Sequence, residues 1–321
     1  MGLCRDPWGE FTHLSGENHM NDSRSLHSIP AILHRPMLLG ILLALFVLAP
    51  VRSGYAQSLG WEGPTGVFVT PLAYTAASPE NGFGTPIVAY HFVDGGNVLG
   101  NFHQISVTAG ALKRIEFGYT RTVHSVGTSA AFSPLWSDGF NTFHAKVNVV
   151  PENYANQRWL PAISGGFILR TQVHNVGGVF RNQDTTNGDV YVAATKTITQ
   201  IKPIPVLLSA GLRGTNASLF GLGGNAPDFV ARGFGAVAFV FKGPAKSTLI
   251  LGSEVSQQPR RIEGLPLADV PTTLTYAARI VPFAKQKLNL DFGVLQAAGR
   301  IQPGVNLNAR ARFAFGISYG L

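Results

Sequence analysis

From Arg312 to Leu321 the chain alternates strictly. Phe313, Phe315, Ile317, Tyr319 and Leu321 take every second position, and Arg312, Ala314, Gly316, Ser318 and Gly320 fill the gaps. A period of two places these sets on opposite faces of a β-strand. The same alternation recurs upstream, around 86–93, 104–109, 115–120, 143–149, 162–172, 189–199, 204–214, 232–242, 247–256, 272–283 and 288–294. With the last strand the count is 12, and single-chain bacterial barrels have an even number of strands.

The connections alternate in length. Short gaps fall near 110–114, 200–203, 243–246 and 284–286, and long ones near 125–140, 173–188, 215–231, 257–271 and 297–308. With both ends of the chain on the periplasmic side, every one of these short gaps lands there and every long one outside. That asymmetry belongs to outer-membrane barrels, and a soluble sandwich has no reason for it. Gaps at 94–101 and 151–160 fit less well. The apolar, aromatic-rich ending Phe313, Phe315, Ile317, Tyr319, Leu321 resembles the C-terminal assembly signal of such barrels, with Leu where Phe is usual. Ile317→Arg should therefore be harmful, and Ser318→Arg, on the opposite face, milder.

The one long apolar run, Met37 to Pro50, is too short for a membrane-spanning helix and has the length of a signal-peptide core. Gly54, Tyr55 and Ala56 follow as a small-x-small cleavage site. The expected organisation is an N-terminal extension over 1–36, non-native or disordered, with Met20 or Met37 as the alternative start. A signal peptide over 37–56 follows, then a turn-rich lead-in over 57–83 and an antiparallel transmembrane β-barrel over 84–321. The lead-in, with Gly63–Gly66 and Thr70–Pro71, reads as a periplasmic stub, a lumen plug or a miscounted strand. No later apolar run reaches 18 residues, so a membrane location requires a closed barrel.

Composition agrees. Charged residues are 13% of the chain, against roughly 25% in soluble domains, and 37 glycines help fill the difference. The single cysteine, Cys4, precedes the signal, so a processed chain has no thiol for a disulfide, metal site or nucleophile. The net charge of +8 is carried beyond residue 56 and scattered singly, without the basic runs of a nucleic-acid surface.

Several ordered fragments resemble a family of uncharacterised exported bacterial proteins of unknown function, thought to be outer-membrane β-barrels. They are Lys146–Val150, Trp159–Gly166, Asp189–Lys196, Arg213–Ala217, Phe220–Gly224, Gly252–Val255 and Pro259. The match covers about 100–321, and Asp189–Gly224 is its most specific part. The resemblance implies an outer-membrane barrel and brings no catalytic residues.

Chemistry-bearing motifs are scarce. His91, His103, His124, His144 and His174 lie in no local serine-hydrolase pattern, and neither His-x-x-x-His nor Cys-x-x-Cys occurs. Gly221–Gly224 lacks the Lys-Ser/Thr of a phosphate loop. His144 is the best candidate base, against a weightier reading as a lumen hydrogen-bonding residue. No cofactor and no enzymatic activity are expected.

With apolar faces outward, the lumen is lined by Glu116, His144, Lys146, Asn148, Arg170, Lys196, Arg213, Glu254, Arg279, Asn289, Asp291 and Arg312. Six of these are basic and three acidic, which would favour a small anionic solute if the lumen conducts. The leading function is a passive channel for small solutes. A structural barrel acting through its outer loops and a barrel-embedded hydrolase are the alternatives. The expected partners are outer-membrane lipid and the barrel assembly machinery, with no nucleic acid.

Overall fold

The computed structural model describes residues 58–129, 134–174, 184–200, 204–244, 247–282, 287–302, 305–306 and 311–321. The expected signal peptide and N-terminal extension lie outside them.

The strands are β1 (Ile87–Asp94), β2 (Gly100–Ala111), β3 (Ile115–Val126), β4 (Phe140–Val150), β5 (Ala162–Val173) and β6 (Thr185–Ile198), then β7 (Val206–Ser218), β8 (Gly224–Lys242), β9 (Thr248–Gln257), β10 (Thr272–Val281) and β11 (Leu288–Ala297). A two-stranded hairpin, β12 (Arg300–Gln302) with β13 (Val305–Asn306), lies in the last outer loop, and β14 (Arg312–Gly320) ends the fold. Each barrel strand pairs antiparallel with its sequence neighbour, and β14 closes the circle between β11 and β1. The result is a closed barrel of 12 strands with no free edge.

Alternation accounts for the wall. Along β4, Thr142, His144, Lys146 and Asn148 are buried inside, while Phe143 and Val147 face out and are exposed. Ile105, Phe117, Leu169, Val192, Leu251 and Phe292 likewise stand exposed on the outer face. An outward apolar band on a closed sheet is what hydrocarbon demands, because the closed ladder satisfies every strand hydrogen bond internally. The chain is a transmembrane β-barrel of the outer-membrane type. No helix among the described residues is long and apolar enough to cross a membrane.

The terminal strand matches its expected pattern. Phe313, Ile317 and Tyr319 face outward, and Phe315 lies on the same side against Phe292, ring centroids 5.5 Å apart. The Leu321 N–H donates to Pro86 O at 2.9 Å, tying the terminus to the start of β1. One expectation needs correction. The span 215–231 is mostly strand, because β7 runs to Ser218 and β8, at 19 residues, starts at Gly224. About 9–11 residues suffice to cross a bilayer, so this hairpin rises beyond the membrane on the outer side. Alternation fades there because Gly221, Gly223, Gly224 and Pro227 interrupt it.

Candidate functional site

The lumen is not empty. Residues 58–77 turn back into it as a compact, largely irregular plug, while residues 79–83 of the same lead-in are exposed. Its own ladder is slight: Leu59 bridges Thr65 and Gly66 bridges Pro71. The chain is folded tightly by Gly60 N–H to Pro64 O at 2.7 Å and Trp61 N–H to Phe68 O at 2.6 Å. Leu59, Trp61, Phe68, Ala73 and Ala76 are all buried. Gly63 takes φ +103°, and a Cβ there would stand 2.6 Å from Thr120 Oγ1 and 2.7 Å from His144 Cε1. Only glycine accepts both that dihedral and that proximity.

The wall holds the plug mainly by its backbone. Glu254 on β9 accepts N–H bonds from Phe68 (3.0 Å), Val69 (3.1 Å) and Thr70 (2.6 Å), three consecutive donors around one carboxylate. Glu116 on β3 accepts from Thr65 N–H at 2.9 Å and Ala76 N–H at 2.7 Å. Lys146 on β4 pairs with Glu116 at 3.2 Å and donates to Leu72 O at 3.0 Å and Thr65 O at 3.2 Å. Asn148 Nδ2 donates to Ala73 O at 2.9 Å, and Ala73 N–H donates to Thr195 Oγ1 at 2.8 Å. A buried peptide group without a partner would cost free energy, so an irregular segment can lie here only because the wall supplies its missing partners.

Two ion clusters complete the contact. Arg170 on β5 pairs with Glu62 through Nε at 2.5 Å and Nη2 at 2.8 Å, and reaches Asp189 on β6 at 2.9 Å. Arg213 on β7 lies 3.5 Å from Asp189, donates to Ser256 at 2.6 Å, and sits over the rings of Phe220 and Phe234 at 5.2 and 5.4 Å. On the opposite side Arg279 pairs with Asp291 at 2.6 Å and donates to Gly66 O at 3.2 Å. Asp291 also accepts from Ser58 Oγ at 2.6 Å.

The mouth on the long-loop side is closed separately. Phe102, Leu135, Trp136, Phe140, Val173 and Phe220 pack in one buried cluster that reaches down to Trp61 and Phe68 of the plug. Trp136 Nε1 donates to Leu222 O at 3.2 Å, pinning one outer loop to another. Two voids among the described residues beside the plug, of about 10 and 40 Å³, have room for water and little else.

Of the residues expected to line the lumen, Glu116, His144, Lys146, Asn148, Arg170, Arg213, Glu254, Arg279, Asn289 and Asp291 face inward, and Glu116, Lys146, Arg170, Glu254, Arg279 and Asp291 make the ion pairs and plug contacts above. Arg312 keeps the inward parity, half-buried at the outer rim beside Gly96. Lys196 does not line the lumen. Thr195 is the buried inward residue, and Lys196 lies on the outer face near the periplasmic turn, bound to Glu152 at 3.2 Å and Asn153 at 2.6 Å. Its polar neighbour Thr197 and the mixed end of β6 blur the parity in sequence. His144 is buried beneath Gly63 with Nε2 3.4 Å from Thr108 Oγ1, a hydroxyl that donates to Gly63 O at 2.8 Å.

Sequence reasoning missed Asp189, which stands on the inward parity of a run already recognised, and Glu62, whose lead-in position gave no face to assign. Their inclusion changes the charge balance. The filled lumen holds Lys146, Arg170, Arg213 and Arg279 against Glu62, Glu116, Asp189, Glu254 and Asp291. At the level of the plug the basic residues are therefore offset by acidic ones, while Arg312 and the buried Lys287 stand towards the two ends of the barrel.

Comparison with known proteins places the chain. Three solved structures that match are the KdgM porin in complex with disordered oligogalacturonate, the NanC porin, and the COG4313 outer membrane channel from Pseudomonas putida F1. Identities are 8%, 8% and 12%, and TM-scores 0.41, 0.43 and 0.40. The matches cover 74%, 74% and 76% of this chain and 99%, 100% and 97% of those. No curated protein sequence matches. One family model does, described as a protein of unknown function (DUF3034), over residues 60–287, a span that takes in both the plug and most of the barrel. The chain belongs to the DUF3034 family.

Proposed function

We propose that this barrel is a transport component of the outer membrane held in a closed state by its own residues 58–77, and that a small hydrophilic solute passes when this segment moves. What carries the reading is how the plug is bound. Its main chain is held by inward carboxylates and an amine (Glu254, Glu116, Lys146), beside the apolar contacts that Leu59, Trp61, Phe68 and Ala73 make with the wall. A permanently filled barrel gains nothing from charge here, because a buried ion pair is often no more stabilising than a well-packed apolar replacement. A polar wall stays wettable once the plug leaves, and a barrel of this strand number has room for a lumen. Without the plug the wall carries Lys146, Arg170, Arg213 and Arg279, with Lys287 and Arg312 towards its ends, against Glu116, Asp189, Glu254 and Asp291, a small basic excess that supports only weak selectivity between anions and cations. The lumen's role in this reading is passage, not catalysis. We propose further that the barrel assembly machinery engages β14, whose apolar alternation faces lipid in the finished protein.

Single-channel recording in planar bilayers tests this. The chain beginning at Gln57 is expected to be mostly closed, and a chain lacking 58–77 to open at least tenfold more often, with a reversal potential near zero in a salt gradient. A deletion variant that folds, as judged by heat-modifiable migration, yet does not conduct would refute gating by the plug. It would favour the structural reading, which the aromatic closure of the outer mouth independently suits.

A further inference from the structure

A second arrangement lies outside the lumen, on the lipid-facing wall near the outer rim. Tyr90 (β1), His103 (β2) and Ser125 (β3) stand on the outward parity of three adjacent strands and form one hydrogen-bonded line. His103 Nε2 is 3.0 Å from Ser125 Oγ, and His103 Nδ1 is 2.7 Å from the Tyr90 hydroxyl. The Phe92 and Tyr90 rings flank the imidazole at centroid distances of 5.4 and 6.1 Å. Asn101 is paired directly across from Ser125 on the same face. Opposed residues have Cβ atoms about 4.5–5.5 Å apart, which puts its amide within reach of a group bound at Ser125.

An imidazole on the lipid face is costly unless it has a use, and ionisable groups at membrane depth mark functional sites by default. Ser125 is one residue from the outer end of β3 and Asn101 one residue from the outer end of β2. In outer-membrane barrels the apolar band gives way to the interface towards the strand ends, where lipid ester bonds lie. The geometry is that of an activated nucleophile: a hydroxyl, a base within hydrogen-bond reach, and a third group orienting the base.

We propose that Ser125, His103 and Tyr90 form an esterase site acting on acyl esters of outer-leaflet lipids. Ser125 Oγ attacks the ester carbonyl carbon as its proton passes to His103 Nε2. Nδ1–H meanwhile donates to the Tyr90 oxygen, which holds the ring in place. Asn101 donates to the carbonyl oxygen as it gains charge. The C–O bond to the alcohol breaks, and the alcohol leaves with the proton from His103. Water, deprotonated by the same nitrogen, then attacks the acyl-serine, releasing the fatty acid and restoring Ser125. No oxidant, metal or further reactant is consumed.

The test uses the full mature chain in phosphatidylethanolamine vesicles and in detergent, with an alkyl fluorophosphonate probe and measurement of released fatty acid. Labelling is expected at Ser125, located by peptide mass spectrometry, together with fatty-acid release. Both should be abolished by Ser125→Ala and reduced about 10²-fold by His103→Ala, the scale of a lost general base. Tyr90→Phe should reduce release severalfold, and channel conductance should be unchanged in all three variants. These residues face outward, so the variants should fold, and heat-modifiable migration checks that they do. Labelling at another serine, or labelling and release no greater than in folded Ser125→Ala, would overturn the proposal. Hydrolysis of a soluble short-chain ester without release from vesicles would overturn the lipid assignment.

Discussion

The two faces of the same twelve strands are built by different means. Outside, each strand contributes apolar side chains whose only requirement is contact with hydrocarbon, so Phe143, Val147 and Leu169 would tolerate exchange for other apolar residues. Inside, Glu254, Glu116, Lys146 and Arg170 each meet particular atoms of a segment about 40–190 residues away in sequence. The lipid face is a bulk solvation problem and the lumen a pairing problem. Errors outside should therefore scale with depth in the bilayer, and errors inside with the number of partners stranded.

The sharpest way to break this comparison is at Arg170. Arg170→Met would leave Glu62 and Asp189 buried without their common cation. Removing one partner of a buried pair costs about 3–5 kcal/mol. Reversible urea unfolding in bilayers should register that loss, and adding Glu62→Gln and Asp189→Asn should recover much of it. Full additivity of the three changes would mean that they are not coupled.

The terminal strand gives the next effect. Ile317→Arg should cost roughly 2–4 kcal/mol if it lies near mid-bilayer. The structure withdraws the expectation that Ser318→Arg is milder. Ser318 is fully buried, 3.3 Å from both Ser58 Oγ and Asn289 Nδ2, so an arginine would have to expel the plug. Both variants should be destabilised, but Ser318→Arg alone should also raise conductance. Equal conductance in the two would sink that distinction.

Gly63→Ala probes the plug without charge. A side chain at φ +103° and 2.6 Å from Thr120 Oγ1 should cost about 1–3 kcal/mol of backbone strain, read as more frequent channel opening. An unchanged open probability would show that this turn does not hold the plug.

The smallest effect belongs to the exposed pairs. Lys113 holds the Glu80 carboxyl below its ordinary range at the base of the barrel, and Arg260 does the same for Asp269 in an outer loop. A depressed carboxylate stabilises above its unfolded pKa and loses that contribution as pH falls through the folded value. Both pairs are open to water, where such bridges contribute little. Lys113→Ala and Arg260→Ala should leave the unfolding midpoint unchanged.

Much of the barrel was legible because period two is a local property. Whether Phe315 or Gly316 faces lipid follows from neighbours within a few residues, and the lengths of the gaps then separate the two ends. Inward residues such as Lys146 and Asp291 were legible by subtraction from the apolar face. Lys196 was misplaced where the apolar side of β6 gives way to Ala194 and a charged end, so that alternation no longer says which side is wet. Ser125, His103 and Tyr90 escaped a search for local motifs because they meet only across the strand register, 13 to 35 residues apart.

The sequence by itself determined that this chain closes into an outer-membrane barrel of 12 strands and which residues turn their backs on lipid, since hydrocarbon acts on each side chain independently of its distant partners. It left residues 57–83 undecided among stub, plug and strand. That choice belongs to tertiary structure, because an irregular segment has no periodicity of its own. Its place is set by whether carboxylates and amines on β3, β4 and β9 stand where its N–H and C=O groups need them, a match that exists only once the barrel has closed.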